Sequence, residues 1–234
     1  MSPLRVLVTG GGRGIGRAIA LRFAREGARV VVAARTSTEL DEVVAAIGAA
    51  GGQGLAAQMN VRDRGSVEAA VWRCNQFTGE ALDVVVNNAG VFDVAPVTEV
   101  DDETWERNME VNLRGAWYVT TEVLDALSEG ERPHVFNMAS IAAREGFAHT
   151  TAYCASKYGL RGFSDALREE LSEQGIRVST VYPGPTDTTI FDGVPGDWDR
   201  SAMNAPEDVA EVIWDAYNAG EGIDVADLDV PPPA

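Results

Sequence analysis

The chain has 234 residues, 45% of them hydrophobic, with 36 acids against 19 lysines and arginines and a formal net charge of −17. A surface of that sign repels phosphate backbones, so neither nucleic acid nor an anionic membrane is an expected partner, and no apolar run approaches the roughly 18 residues of a membrane span. Cys74 and Cys154 lack metal-ligand spacing, and His134 and His149 do not cluster with them, so no metal is expected.

Apolar β-branched runs alternate with helix-period segments along the whole chain. The first run, with a strand expected at Val6 to Thr9 inside a strand-like segment from Leu4 to Thr9, begins almost at the N-terminus, which is expected to leave no room for a signal peptide and makes the cytoplasm the expected compartment. It enters Thr9-Gly10-Gly11-Gly12-Arg13-Gly14-Ile15-Gly16 and a helix predicted over 14–26. Glycines at a strand-to-helix junction let the backbone approach a pyrophosphate at the helix N-terminus, where free N–H groups favour an anion. The spacing of Gly10, Gly14 and Gly16 differs from the G-x-G-x-x-G fingerprint, and a glycine-rich turn without a ligand is the competing explanation.

Further strands are expected at Val30 to Ala34, Gly54 to Met59, Asp83 to Asn87, His134 to Ala139 and Arg177 to Tyr182. Helices are expected over 38–50, 64–78, 102–128, 151–174 and 206–219. Such alternation predicts an α/β fold, a parallel sheet with helices on both faces, in one domain over 1–234. Ile223 to Val230 is expected to add a short edge strand before Pro231-Pro232-Pro233 ends the pairing. The helix from Asp102 carries Trp105, Met109, Leu113, Trp117, Thr121 and Leu124 at mostly fourfold spacing, a stripe that ordinary core packing also explains.

Lys157 is the only lysine among the 19 basic residues, and it stands four positions after Tyr153. On a helix these positions share a face, so the ammonium is expected to approach the phenol and lower its pKa from about 10. A tyrosine so tuned exchanges protons near neutral pH. Alone, Tyr-x-x-x-Lys is a weak signal, since any exposed helix can carry it.

These features together resemble the short-chain dehydrogenase/reductase family in its compact single-domain branch. The resemblance rests on the Thr-Gly-x-x-x-Gly-x-Gly turn, Asn87-Asn88-Ala89-Gly90, Asn112, Ser140, the Tyr153/Lys157 pair and Pro183-Gly184, in the family's order over about residues 4 to 190. It implies a Rossmann-type doubly wound sheet and an oxidoreductase that moves a hydride between NADP or NAD and a ketone, aldehyde or secondary alcohol. Tyr153 would be the acid/base, Ser140 would polarise the carbonyl, Lys157 would tune the phenol and hold ribose, and Asn112 would relay protons. The cofactor would lie along Gly10, Arg13, Gly14, Ile15, Gly16, Asn60, Val61, Asn88, Ala89, Gly90, Pro183, Gly184 and Thr188. Asn60 departs from the family's usual aspartate there, and the C-terminal Ile223 to Ala234 departs from its usual ending.

Ala34 stands where members that use NAD usually carry an acid, and Arg35 follows it. Arg35 and Arg13 can hold a 2′-phosphate, which points to NADP, while Glu39 and Asp41 keep NAD open. Substrate shape is expected from Phe92 to Val97, from Ala142 to Thr150 and from the loop after Thr188, with Phe191, Trp198 and Met203 as an apolar lid. A neutral small molecule fits better than an acyl group on an acidic carrier protein, although Arg144, His149 and Arg200 leave a carboxylate-bearing substrate open. The resemblance also implies a homodimer or homotetramer. Competing readings are a cofactor-binding sensor or interaction protein, and an epimerase or dehydratase, which needs a larger substrate domain.

Codon composition explains the missing lysines but not the acid excess, which reads either as adaptation to high salt or as a simply solvated surface. On the salt-adapted reading, screening should relieve carboxylate repulsion, since the Debye length falls from about 10 Å at 0.1 M to about 3 Å at 1 M salt. Melting temperature and activity should rise together as potassium chloride goes from dilute to molar; a flat melting temperature with falling activity would count against it.

Overall fold

The computed structural model describes residues 2–220 and 223–233. Seven strands form one all-parallel sheet in the order β3-β2-β1-β4-β5-β6-β7. They are β1 (Arg5–Thr9), β2 (Arg29–Ala34), β3 (Gln53–Gln58), β4 (Val84–Asn87), β5 (His134–Met138), β6 (Arg177–Pro183) and β7 (Asp227–Val230). Valines dominate β2 and β4 because a strand covered on both faces needs apolar side chains on both. Val30, Val31, Val32, Val84, Val85 and Val86 are fully buried.

Helices α1 (Gly14–Ala24), α2 (Ser37–Ala49) and α7 (Pro206–Asn218) pack on one face, around Phe23, Ile47 and Ile213. On the other face lie α3 (Arg64–Thr78), α4 (Asp102–Met109), α5 (Gly115–Ser128) and α6 (Thr151–Ser172), with Val67, Val119 and Leu167 inward. Chain order reverses between β1 and β4, so the C-terminal ends of these two strands open a crevice. At the opposite end of the same strands, Asp83 receives both Arg5 nitrogens, Nε and Nη2, at 2.9 Å, together with the Arg5 and Glu131 backbone N–H groups. Burial opposes the Asp83 charge, but the hydrogen bonds from Arg5 and Glu131 hold its carboxyl below the usual range.

Three expectations change. The helix expected over 102–128 is broken by a π-turn at Glu110–Arg114, which swings Asn112 inward. An extra residue in one turn leaves no mark in hydrophobic period. The edge strand begins at Asp227 rather than Ile223, pairing Asp227 to Val230 with Thr180 to Pro183. The stripe on α4 and α5 is not core throughout: Trp105 and Trp117 are 41% and 42% exposed.

One tight junction carries the fold. Gly10 and Gly14 adopt φ of +64° and +53°, and a Cβ on Gly16 would stand 2.3 Å from the Gly10 carbonyl oxygen. Gly16→Ala should therefore lower stability by about 1 to 3 kcal/mol through overpacking, read as a fall in melting temperature. Gly48→Ala, inside α2 with open space at its Cβ, should be neutral or raise stability by up to about 1 kcal/mol. Equal effects from the two substitutions would refute this account of the junction.

Candidate active site

Three loop ends meet at the crevice. The hydroxyl of Thr9, at the end of β1, accepts the Asn88 and Ala89 backbone N–H groups at 3.0 Å, and Asn88 Nδ2 donates to the Thr9 and Gly10 carbonyls at 2.9 and 3.2 Å. This stitches the turn after β1 to the turn after β4. A Cβ on Gly10 would lie 2.8 Å from Asn88 Nδ2, so the approach tolerates only glycine. Helix α1 starts here with no side chain capping it, and Arg13 occupies the cap position. Its first N–H groups face the crevice, as anion binding at a helix start requires.

The crevice is a cavity of about 590 Å³ that runs from this helix start to the tyrosine. Most residues expected to hold a cofactor line it: Gly10, Arg13, Gly14, Ile15, Arg35, Asn60, Val61, Asn88, Ala89, Gly90, Pro183, Gly184 and Thr188. Gly16 does not, since its place is behind the turn, against Gly10 and Asn88. Gly184 also serves the C-terminus. Its N–H donates to the Val230 carbonyl at 2.9 Å, and a Cβ there would meet Pro232 Cδ at 3.0 Å. Glu39 is on the wall at the Arg13 end, 3.6 Å from that guanidinium, whereas Asp41 is not on the wall. Asn60 Oδ1 accepts the Arg62 N–H at 3.2 Å and so shapes its own turn. These features fit a dinucleotide: a glycine cradle that no Cβ could enter, an uncapped helix start, and two guanidinia at the far end.

At the other end, Ser140, Tyr153 and Lys157 line the same cavity. Ser140 lies two residues after β5 and takes the Ala142 N–H on its hydroxyl at 3.1 Å, while α6 carries Tyr153 and Lys157 one turn apart. The expected electrostatics are corrected here. Lys157 is 5% exposed and donates from Nζ to the Met138 carbonyl at 2.7 Å, with Nζ 5.7 Å from the Tyr153 ring centre. Burial pushes the ammonium down to about 8. Burial likewise pushes the Tyr153 phenol up to about 12, and the interaction with the Ser140 hydroxyl only partly opposes it. Desolvation of both partners outweighs their proximity, and i,i+4 spacing alone reveals nothing of it.

Asn112 does not line the cavity. From the π-turn its Nδ2 donates to the Val91 carbonyl at 3.0 Å and to Ser156 Oγ at 2.9 Å, and its Oδ1 accepts the Val91 N–H at 2.8 Å. Gly90 lies between: a Cβ there would stand 3.4 Å from Asn112 Oδ1 and 3.8 Å from Lys157 Nζ. The missing side chain leaves a narrow gap joining the two groups.

The expected substrate loops are partly reassigned. Phe92, Val94, Ala142, Phe147, Phe191 and Trp198 are on the wall; Met203 is buried away from it, and His149 is exposed outside it. Arg144 is held by Asp227 and Asp229 and lies 3.7 Å over the Tyr182 ring, while Arg200 is held by Asp187 and Asp192. Neither guanidinium is left to receive a substrate carboxylate. Sequence reading missed Thr9 and Ser156 as positioning groups, and Met138, which acts through a backbone carbonyl that no side-chain pattern can signal.

The chain is similar to known proteins over most of its length. A sepiapterin reductase of Chlorobaculum tepidum is 30% identical over 219 residues, covering 91% of this chain and 89% of the relative. A sorbitol dehydrogenase of Cereibacter sphaeroides is 35% identical over 80% of this chain and 72% of its own length. A metagenomic short-chain oxidoreductase solved in complex with NADP superposes with a TM-score of 0.84 at 31% identity, covering 98% and 97% of the two chains. The profile of the short chain dehydrogenase family matches residues 5–197, a span that contains the glycine cradle, Ser140, Tyr153 and Lys157. The chain is therefore a member of the short chain dehydrogenase family.

Proposed function

We propose that this oxidoreductase reduces neutral carbonyl compounds with NADPH, and oxidises the matching secondary alcohols in reverse. The observation that carries the reading is the convergence of Ser140, Tyr153 and Lys157 at one end of a cavity whose other end is the uncapped start of α1. The bound nicotinamide supplies the hydride. Tyr153 gives its phenolic proton to the substrate oxygen, and Ser140 donates a hydrogen bond to that oxygen as charge develops on it. A phenol held up to about 12 stays protonated throughout the neutral range, so the ground state is set for reduction. Lys157 keeps a positive charge beside the site and reaches the nicotinamide ribose. Asn112 ends the proton path, across the gap at Gly90.

NADP is favoured over NAD by Arg35 and Arg13 on the cavity wall, and the NADP complex of the metagenomic relative agrees. Glu39 works against it, because a 2′-phosphate must displace this carboxylate from Arg13. A sensor without catalysis fits less well with three converging reactive side chains. A second copy of the chain in a homodimer or homotetramer would seat on the half-exposed Trp105, Trp117 and Tyr158 of α4, α5 and α6. The cytoplasm remains the proposed compartment; among the described residues no helix is long and apolar enough to cross a membrane.

Tyr153→Phe should leave folding and NADPH affinity nearly intact while lowering turnover by about 10² to 10⁴-fold. Near-native turnover in the folded variant would remove Tyr153 from the mechanism. In wild type, kcat/KM for reduction should hold level below pH about 8 and decline above it, as Lys157 loses its proton while Tyr153 keeps its own. A profile level to pH 10 would show that the Lys157 charge is not needed.

For the cofactor, fluorescence titration should give a lower Kd for NADPH than for NADH. Arg35→Asp should weaken NADPH by roughly 10 to 150-fold, the loss of one charge-assisted contact. Glu39→Gln should tighten NADPH several-fold by freeing Arg13. Equal wild-type affinities for the two cofactors would defeat the NADP assignment.

A further inference from the structure

The substrate end of the cavity is walled by aromatic rings that pack on one another in fixed geometry. Phe92, in the loop after β4, is the hub. It meets Tyr153 edge-on at 4.8 Å and 72°, Phe191 at 5.6 Å and 68°, and Trp198 at 5.9 Å and 69°. Phe191 and Trp198 lie 4.9 Å apart. Edge-on contacts at these distances are the favoured arrangement of ring quadrupoles.

The loop that carries Phe191 and Trp198 is pinned. Trp198 Nε1 donates to the Val194 carbonyl at 3.2 Å. Beneath the indole is Gly196, at φ +141°, where a Cβ would stand 2.9 Å from the ring. Arg200 lies 5.5 Å from the Phe191 ring centre and donates to Asp187, Asp192 and the Thr188 carbonyl. An apolar lid closing at random needs none of these ties, so the loop is built to hold its rings at set angles.

The chemistry of the wall selects among carbonyl compounds. Both nearby guanidinia, Arg144 and Arg200, are already engaged by two aspartates each, so a substrate carboxylate would enter without a partner. Apart from Ser140 and Tyr153, the substrate end is mainly alanine, isoleucine, valine and aromatic side chains. A polyol or ketose would bury several hydroxyls against a wall whose further hydroxyls are a few threonines, Thr150, Thr186, Thr188 and Thr189, of which Thr150 and Thr186 already donate to backbone carbonyls. A flat ring presents its edge and face to Phe92, Phe191 and Trp198 without such a cost.

Resting on the reductase reading above, we infer that the substrates are aryl ketones, in which an aromatic ring is joined directly to the carbonyl carbon. The ring packs among Phe92, Phe191 and Trp198 while the carbonyl oxygen lies at Ser140 and Tyr153. Hydride from NADPH forms the new C–H bond, the Tyr153 proton forms the O–H bond, and the products are the aryl secondary alcohol and NADP. This differs from the polyol named for the sorbitol dehydrogenase relative.

The test compares acetophenone with cyclohexyl methyl ketone, which has the same carbon count without the aromatic ring, and with fructose. With NADPH, acetophenone should show a kcat/KM roughly 10-fold or more above cyclohexyl methyl ketone, as two ring contacts allow, and fructose should not be turned over. Phe191→Leu and Trp198→Leu should each erase most of that ratio through KM. Calorimetry of acetophenone with the NADP-loaded protein reads the wall without chemistry, and its affinity should fall in Trp198→Leu. A wild-type ratio near one, or the ratio retained in both variants, overturns the aryl assignment and leaves the reductase reading standing. Acetophenone binding that depends on Trp198, with no ketone reduced, supports the aromatic wall and sinks the reductase reading instead.

Discussion

The structure depends on how closely the turn after β1 can approach the turn after β4. These strands are neighbours at the point where chain order reverses, so their C-terminal ends diverge into the crevice. Thr9 and Asn88 tie the two turns by hydrogen bonds of 2.9 to 3.2 Å, a contact that Gly10 and Gly16 permit by having no Cβ. A larger residue at either glycine pushes α1 off the sheet. The same shift would move the uncapped helix start away from any phosphate, so packing and binding share one constraint.

Away from that junction, the site is governed by desolvation. Lys157 and Tyr153 are drawn into the cavity by α6, and both move toward their neutral forms, the ammonium to about 8 and the phenol to about 12. The Met138 carbonyl takes the ammonium that simple proximity would have given to the phenol. A neutral phenol beside a serine hydroxyl is a proton donor, and it becomes a base only at a cost in free energy. Burial thus holds Tyr153 in its neutral, proton-bearing form.

Charge on this chain is arranged so that the acids restrain the arginines. Arg13 faces Glu39, Arg144 lies between Asp227 and Asp229, and Arg200 between Asp187 and Asp192. Most of these pairs are partly exposed and individually weak. The Arg144 and Arg200 pairs withdraw two cations from the tyrosine end of the cavity, while at the other end Arg35 has no ion pair among the described residues. An acidic surface and an apolar pocket thus coexist in one small protein.

Much of this was written locally and could be read as such. Valine runs bounded by glycine and polar residues mark buried parallel strands, and the glycine turn between β1 and α1 marks an anion site, because each depends on neighbours within a few positions. That Ser140, Tyr153 and Lys157 share one cavity was legible from motif order, and Lys157 stands out in a chain otherwise furnished with arginine. Tertiary structure decided the rest. The π-turn that turns Asn112 toward Val91, the packing of Gly16 against Asn88 off the cavity wall, the pairing of Arg144 with Asp227 and Asp229 and the balance of burial against charge at Tyr153 all arise between segments well separated in the chain. Sequence determines which groups are present and which face of a strand or helix carries them; only the packed chain determines which of them lose water, and desolvation sets both their charge and their partners.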